Sequence, residues 1–254
     1  MTKRSLTTIV LGALAWLAAA PSLAANDEAA NLVRKAVDAL PKQSFKAQLK
    51  LTPANAAPRD LTLRHKLVGA ARASYLEVTS PEELEGIRFL FLEHPNGEPE
   101  QYIKVAAARS PVRVQDQIRK QPFLESDFYV SDLVEPNLDN YEYKFVGEEE
   151  LLGRKTKLVE MVPKNSANEI YGKTVIAIDP QDLLILKRSF YDLSGKLQKV
   201  WTIDAIDKVD GIWTIRDQRM TTVEPGTTSR LETPTIEYGV DLKDTMFTPE
   251  YLKR

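Results

Sequence analysis

Phe123–Leu133 reads FLESDFYVSDL, and it breaks the pattern of everything around it. On both sides the chain alternates apolar and polar residues with a period of two. Here Phe123, Leu124, Phe128, Tyr129, Val130 and Leu133 crowd among polar residues with no such period. Ser126, Asp127, Ser131 and Asp132 are residue types that cap helix N-termini, because their side-chain oxygens accept from orphan backbone N–H groups. A loop or short helix this apolar has to be buried. It serves either as a plug on a β core or as a lid over an apolar cavity inside a curved sheet.

Outward from it, the period-two signal is repeated. Phe45, Ala47, Leu49 and Leu51 alternate with Lys46, Gln48 and Lys50. Leu61, Leu63, His65 and Leu67 do the same, and Ala73–Thr79 follows. Ile87, Phe89 and Phe91 point one way while Leu90 and Leu92 point the other. After the tight-turn signal Pro95-Asn96-Gly97, Tyr102, Ile103 and Val105 return. Ala106–Lys120 is a basic connection into the central stretch.

Beyond Leu133 further hairpins start at Tyr141, with turns predicted at Asp179–Asp182, Leu193–Lys196 and Asp210-Gly211. Pro234 interrupts the last long strand, which suits an edge or a bulge. Leu32, Val33, Ala36, Val37 and Leu40 form one stripe of a helix predicted over 26–40, with Asn26 as its cap. Ser80-Pro81-Glu82-Glu83 reads as a capping box, closed by Gly86. No βαβ rhythm and no repeat appears. The expectation is a mainly β (α+β) chain: a single highly curved antiparallel sheet, or incomplete barrel, of about eleven strands. Only the N-terminal helix and the central segment are available to cover its concave face.

Composition narrows the function classes. Met1–Ala24 has the form of a secretory signal, with Lys3 and Arg4, an apolar run from Ile9 to Ala20, Pro21, and small residues before a cut at Ala25. Residues 25–254 are then one exported periplasmic domain. Without Lys3 and Arg4 the formal charge moves from −2 to −4, which argues against nucleic-acid binding. There are no cysteines, so the chain has no disulfide, no thiol nucleophile and no lipid-accepting residue. Its core alone must hold it, and a domain this large buries about 70% of its unfolded surface.

Enzyme signatures are lacking. His65 and His94 are the only histidines and lack ligand spacing. No Gly-x-Ser-x-Gly elbow or phosphate-cradling glycine loop occurs. Glu82, Glu83 and Glu85, and likewise Glu148–Glu150, read as solvated turns. No cofactor is expected.

In order along the chain, SYLEVTSPEELEGIRFLFL (Ser74–Leu92), EPEQYIKV (Glu98–Val105), FLESDFYVSDL, IYGKTVIAIDPQDLLILKRSFYDLSGKLQKVW (Ile170–Trp201), DGIWTIRDQRM (Asp210–Met220) and DTMFTPEYL (Asp244–Leu252) resemble the periplasmic outer-membrane lipoprotein-sorting proteins. The likeness is to the LolA-like branch associated with transporters of hydrophobic molecules. The resemblance implies an open barrel with helices as a lid over an apolar cavity, and the carriage of acyl chains or other lipids through the periplasm. In that branch the central motif usually reads like FMGSDFSYEDL. Phe123, Ser126, Asp127, Phe128, Asp132 and Leu133 match it. Glu125 replaces its glycine and Ser131 its acid.

Such carriage needs no reaction. Each buried CH₂ contributes about 0.8 kcal/mol, so a chain of some 14 carbons offers about 11 kcal/mol before ordering costs. The expected cavity residues are Leu76, Val78, Ile87, Phe89, Phe91, Tyr102, Phe123, Leu124, Phe128, Trp201 and Trp213, each with plain core as its alternative. Phe89→Asp and Phe128→Asp are then expected to impair cargo binding in a folded protein. Asp127 caps the lid or pairs with an arginine. Arg109, Arg113, Arg119 and Lys120 meet an anionic headgroup or a partner, or form a solvated loop. The expected partners are lipid or lipoprotein acyl chains, an inner-membrane transporter of the resistance-nodulation-division type, and a membrane only in passing. A different class of function, a periplasmic sensor or adaptor of a transporter or envelope-stress system, fits the same fold.

Overall fold

The computed structural model describes residues 23–254, apart from Asn96 and Asn168. The expected signal thus falls almost wholly outside the described residues. Helix α1 (Leu23–Asp38) leads into six strands: β1 (Phe45–Thr52), β2 (Arg59–Val68), β3 (Ala71–Ser80), β4 (Arg88–Glu93), β5 (Glu100–Lys104) and β6 (Val112–Arg113). The central segment carries the short helix α2 (Asp116–Arg119) and three single 3-10 turns. Seven strands follow: β7 (Tyr141–Leu151), β8 (Arg154–Pro163), β9 (Lys173–Asp179), β10 (Leu184–Tyr191), β11 (Leu197–Val209), β12 (Ile212–Thr222) and β13 (Thr227–Tyr238). Two 3-10 turns, Asp244–Phe247 and Tyr251–Lys253, come last.

All thirteen strands form one antiparallel sheet in the order β6-β5-β4-β3-β2-β1-β13-β12-β11-β10-β9-β8-β7. Every neighbouring pair but one is a sequential hairpin. The exception joins β1 to β13, with Phe45 opposite Tyr238. The open edges are therefore β6 and β7, and the chain that runs between them is the central segment. It leaves one edge and reaches the other by crossing a face of the sheet.

That inner face follows from the alternation. Leu49, Leu61 and Val78 are cross-strand partners, as are Leu63, Leu76 and Phe89, and partners share a side. They pack with Phe123, Phe128 and Val130 of the central segment in one buried cluster. Farther round the sheet, Ile176, Arg188, Trp201, Met220 and Ser229 form a second row on the same face. Helix α1 covers β7–β10 there, with Ala29, Val33 and Ala36 set against Tyr143, Val159, Met161 and Ile176. On the outer face Ala73, Tyr75 and Leu90 are covered by Phe247 and Leu252.

Several local expectations change. The sheet has thirteen strands where about eleven were expected, and one of them, β6, is two residues long and too short to show a period. α1 begins at Leu23, so Asn26 lies inside the helix and does not cap it. Ser80 ends β3, and the turn after it has Pro81 at its cap with no side-chain cap bond, although Gly86 does close it at φ +78°. Pro234 lies in a central strand, at the register shift opposite Gln48–Lys50, so the bulge is realised and the edge is not. Glu148–Glu150 belong to strand β7, opposite Lys155–Lys157, where they put charge on an open sheet edge.

At the β13–β1–β2 joint, Phe45 stacks on His65 at 4.9 Å and meets Tyr238 edge-on at 5.6 Å. His65 is 2% exposed, its Nδ1 lies 2.9 Å from Ser74 Oγ, and its pKa is held down at about 4, mainly by burial. The native imidazole stays neutral while the unfolded one takes a proton below its usual 6.5. The associated stability is present above about pH 6.5 and is lost as pH falls towards 4, by up to about 3 kcal/mol. Urea midpoints at pH 7 and pH 4.5 should show this loss in the wild type and a clearly smaller one in His65→Gln.

Candidate functional site

The central segment folds as a small hairpin. Pro122 bridges Tyr129, Phe123 N–H donates to Phe128 O at 2.7 Å, and Val130 N–H donates to Gln121 O at 3.1 Å. Its tip, Leu124 and Glu125, is left-handed at φ 49° and 62°. Glycine takes that conformation without steric cost, and here it falls where the resembling motif has glycine. Glu125 is held there by an ion pair with the buried guanidinium of Arg59. Ser126 caps no helix; its hydroxyl donates to Phe123 O at 2.6 Å and accepts from Phe128 N–H at 3.2 Å.

Asp127 fastens this hairpin to the sheet. It neither caps a helix nor pairs with an arginine, which corrects both expectations. Its Oδ1 accepts from Thr222 Oγ1 at 2.6 Å and Thr227 Oγ1 at 2.5 Å, and its Oδ2 from Ser229 Oγ at 2.6 Å. Lys199 of β11, 1% exposed, donates to Asp127 O at 2.5 Å. The Lys199 ammonium also lies 2.9 Å from the centre of the Tyr129 ring and 3.6 Å from Asp132 Oδ2. Burial lowers the Lys199 pKa to about 8 and raises that of Asp132. Asp132 accepts from Tyr129 N–H at 2.7 Å and from the Tyr171 hydroxyl at 2.8 Å. On the other half of the sheet, Gln101 of β5 donates to Val130 O at 2.7 Å.

A cavity of about 570 Å³ lies beside the hairpin. It is bounded by Val33 of α1, by Ser131, Asp132 and residues 134–138 of the central segment with Asn140 and Tyr141, by Lys164, Asn165 and residues 169–171, and by Met161, Thr174, Ile176, Arg188 and Phe190 on the sheet. Its wall is mixed. Val114, Val134, Leu138 and Ile170 add apolar surface, while Glu98, Asp132, Glu135, Glu169, Arg119, Lys164 and Arg188 add charge. Arg188 donates to Glu135 Oε1 at 2.5 Å, and Asn140 to Glu98 Oε1 at 2.7 Å. Burial raises the Glu169 pKa, an effect that nearby Arg119 opposes.

None of the eleven apolar residues expected to line a cavity lines this one. Leu76, Val78, Phe89, Phe91, Phe123 and Phe128 are buried in the filled core under the hairpin, with Ile87 and Leu124 packed against it. An aspartate at Phe89 or Phe128 would therefore disrupt packing, so neither variant is expected to stay folded, contrary to the sequence expectation. Tyr102 is on the outer face and donates to Glu100 at 2.7 Å. Trp201 is on the inner face but reaches Gln218 Oε1 at 2.7 Å and lies outside the lining. Trp213 sits at a hairpin end with Arg154 and Lys208 each 4.6 Å from its ring. Of the four basic residues only Arg119 reaches the cavity. Arg113 is 3.4 Å from Glu100, while Arg109 and Lys120 are exposed. Among the described residues no group of three or more His, Cys, Asp and Glu could hold a metal, and no helix is long and apolar enough to cross a membrane.

The lining residues missed from sequence come mostly from turns without a period. Lys199 did leave a signal, since Leu197, Lys199 and Trp201 alternate in one phase.

A family model with the description "Uncharacterized protein" matches residues 70–254. No curated protein matches the chain. Among solved structures, one described as an outer membrane lipoprotein-sorting protein domain from Vibrio parahaemolyticus has a TM-score of 0.82 at 22% identity, covering 90% of this chain and 100% of its own. A DUF1329 family protein from Desulfovibrio piger has a TM-score of 0.81 at 20% identity, covering 90% and 99%. A LolA superfamily protein from Nitrosomonas europaea has a TM-score of 0.65 at 18% identity, covering 88% and 98%. These likenesses establish the fold: an incomplete antiparallel barrel.

Proposed function

The chain belongs to the "Uncharacterized protein" family whose model covers residues 70–254, it has the LolA-superfamily fold, and from this premise we propose that it is a non-enzymatic periplasmic carrier. It holds the acyl part of a lipid or lipoprotein in the inner-face cavity and moves it through the envelope towards the outer membrane. The observation that carries this reading is the 570 Å³ cavity between α1, the central segment and the sheet. Its volume falls within the range of about 300–1,000 Å³ typical of small-molecule sites. The apolar part of the wall, with Val33, Met161, Ile176 and Phe190, suits hydrocarbon, and the charged part suits the polar end of an amphiphile. Exposed Arg109 and Lys120 are offered as the contact with a headgroup or with an inner-membrane transporter.

Leu138 lines the cavity from the central segment and is only half-buried, so a polar substitution is tolerated there better than in the core. Leu138→Asp places a carboxylate against the ligand chain. It should weaken binding of a fluorescent acyl probe at least tenfold, with the unfolding midpoint close to wild type. Wild-type affinity in that variant would remove this cavity as the acyl site. Native mass spectrometry of the protein taken from its own cells, followed by organic extraction, identifies the cargo.

A further inference from the structure

Arg59, the first residue of β2, carries a buried positive charge whose ion-pair partner stands in solvent. Its side chain is 4% exposed, while that of Glu125, which accepts from its Nη2, is 72% exposed. Glu125 also forms part of the wall of a second cleft, of about 480 Å³. That cleft lies between the tip of the central hairpin, the β1–β2 turn at Asn55 and the β12–β13 turn at Pro225. The Arg59 guanidinium is therefore one hydrogen bond behind the cleft wall, and the group in between is a carboxylate.

The two members of this pair are not equivalent. The guanidinium is fixed, because its stem is buried and its Nη1 donates to Ala57 O. Left without a counter-charge it would be strongly unfavourable. The carboxylate is free to leave, because water solvates it well and an ion pair with an exposed partner is easily exchanged. Its backbone is left-handed at φ 62°, against the preference of any residue but glycine, so the tip does not hold it there unaided.

Whatever displaces Glu125 must then bring negative charge of its own. The planar guanidinium fork matches carboxylate and phosphate oxygens. A phosphate monoester carries about 1.5–2 negative charges at pH 7 and three acceptor oxygens, more than one carboxylate offers. The other carboxylate of the cleft, Asp127, is already met by three hydroxyls. Asn55 adds an exposed amide donor.

We propose that this cleft is a phosphate-binding site masked by the chain itself, with Glu125 occupying Arg59 until a phosphate group takes its place. The site is separate from the 570 Å³ cavity and does not rest on the carrier reading. Free phosphate and the phosphate of a lipid headgroup present the same oxygens to Arg59.

The test titrates inorganic phosphate, methyl phosphate and dimethyl phosphate, at about pH 7 and constant ionic strength, into the full chain and into its Glu125→Gly variant. The readout is the Arg59 Nε–Hε resonance. Glycine suits the left-handed tip, so the variant keeps the fold. It should bind phosphate at least tenfold more tightly than the wild type, with the Arg59 resonance moving in both. Tighter binding of phosphate and methyl phosphate assigns the site to free phosphate or a monoester, and tighter binding of dimethyl phosphate assigns it to a diester headgroup. Equal affinity in the two proteins, no binding to Glu125→Gly, or binding that leaves the Arg59 resonance unmoved would overturn the proposal. The acyl probe, measured in the same samples, tests the carrier reading separately.

Discussion

Asp127→Ala lowers the stability of the folded chain by about 4 kcal/mol. The carboxylate is buried and accepts from three hydroxyls on two strands, Thr222, Thr227 and Ser229. A hydrogen bond to a charged group contributes about 1.5–3 kcal/mol, and a buried donor stripped of its acceptor costs about 1–3 kcal/mol more. The terms are not additive, because the three hydroxyls can partly re-pair among themselves, and this keeps the total near 4 kcal/mol. At roughly 2–4 °C per kcal/mol for a chain of this size, the melting temperature falls by about 8–16 °C. Asp127→Asn retains one acceptor oxygen and should lose about half as much.

The loss is also local. Lys199 Nζ still reaches the backbone carbonyl at 127, and Gln101 still holds Val130, so the segment stays attached at both ends. Amide exchange should therefore accelerate in residues 121–134 more than in the paired strands. Unchanged stability in both variants would mean that the hydroxyl cluster does not fasten the hairpin.

Strands with a single face in the core were legible, because a period of two appears in Phe45–Leu51 without knowledge of the partner. The hairpin order was legible for the same reason, since nearly every connection is local. The pairing of β1 with β13 was not: it joins Phe45 to Tyr238 across most of the chain, and nothing local encodes it. The central segment stood out, but its phenylalanines lie in the buried cluster and not in the wall of the 570 Å³ cavity. Large apolar residues mark what is filled. The space left open is walled by turns, by half-buried polar groups such as Asn140 and Glu169, and by Arg188, whose inward phase is obscured by the register shift between Ile185 and Lys187. Asp127 misled for a related reason, since an aspartate before apolar residues reads as a cap unless one knows that three hydroxyls from distant strands converge on it.

Phe128→Ala separates the two readings of the central segment. Phe128 is 3% exposed in the cluster with Leu76, Val78, Phe89 and Phe123, and Phe89 meets Phe123 edge-on at 5.0 Å. Truncating a buried phenylalanine costs about 3–5 kcal/mol, the transfer of the ring plus the void it leaves. The upper half of that range applies if the hairpin cannot settle inward, and its fastenings at Asp127 and Val130 resist settling. If the hairpin were a lid whose rings line the cargo site, losing Phe128 would weaken acyl binding in step with stability. Phe128 does not line the 570 Å³ cavity, so the acyl probe should bind Phe128→Ala within about twofold of wild type at a temperature where the variant is folded. An apolar void stays dry and accepts small apolar guests, so the variant should also take up a second, benzene-sized ligand that the wild type refuses. A large drop in acyl affinity together with the stability loss would return Phe128 to the cargo wall. Intact affinity in a destabilised variant makes the aromatic cluster the plug, with cargo beside it.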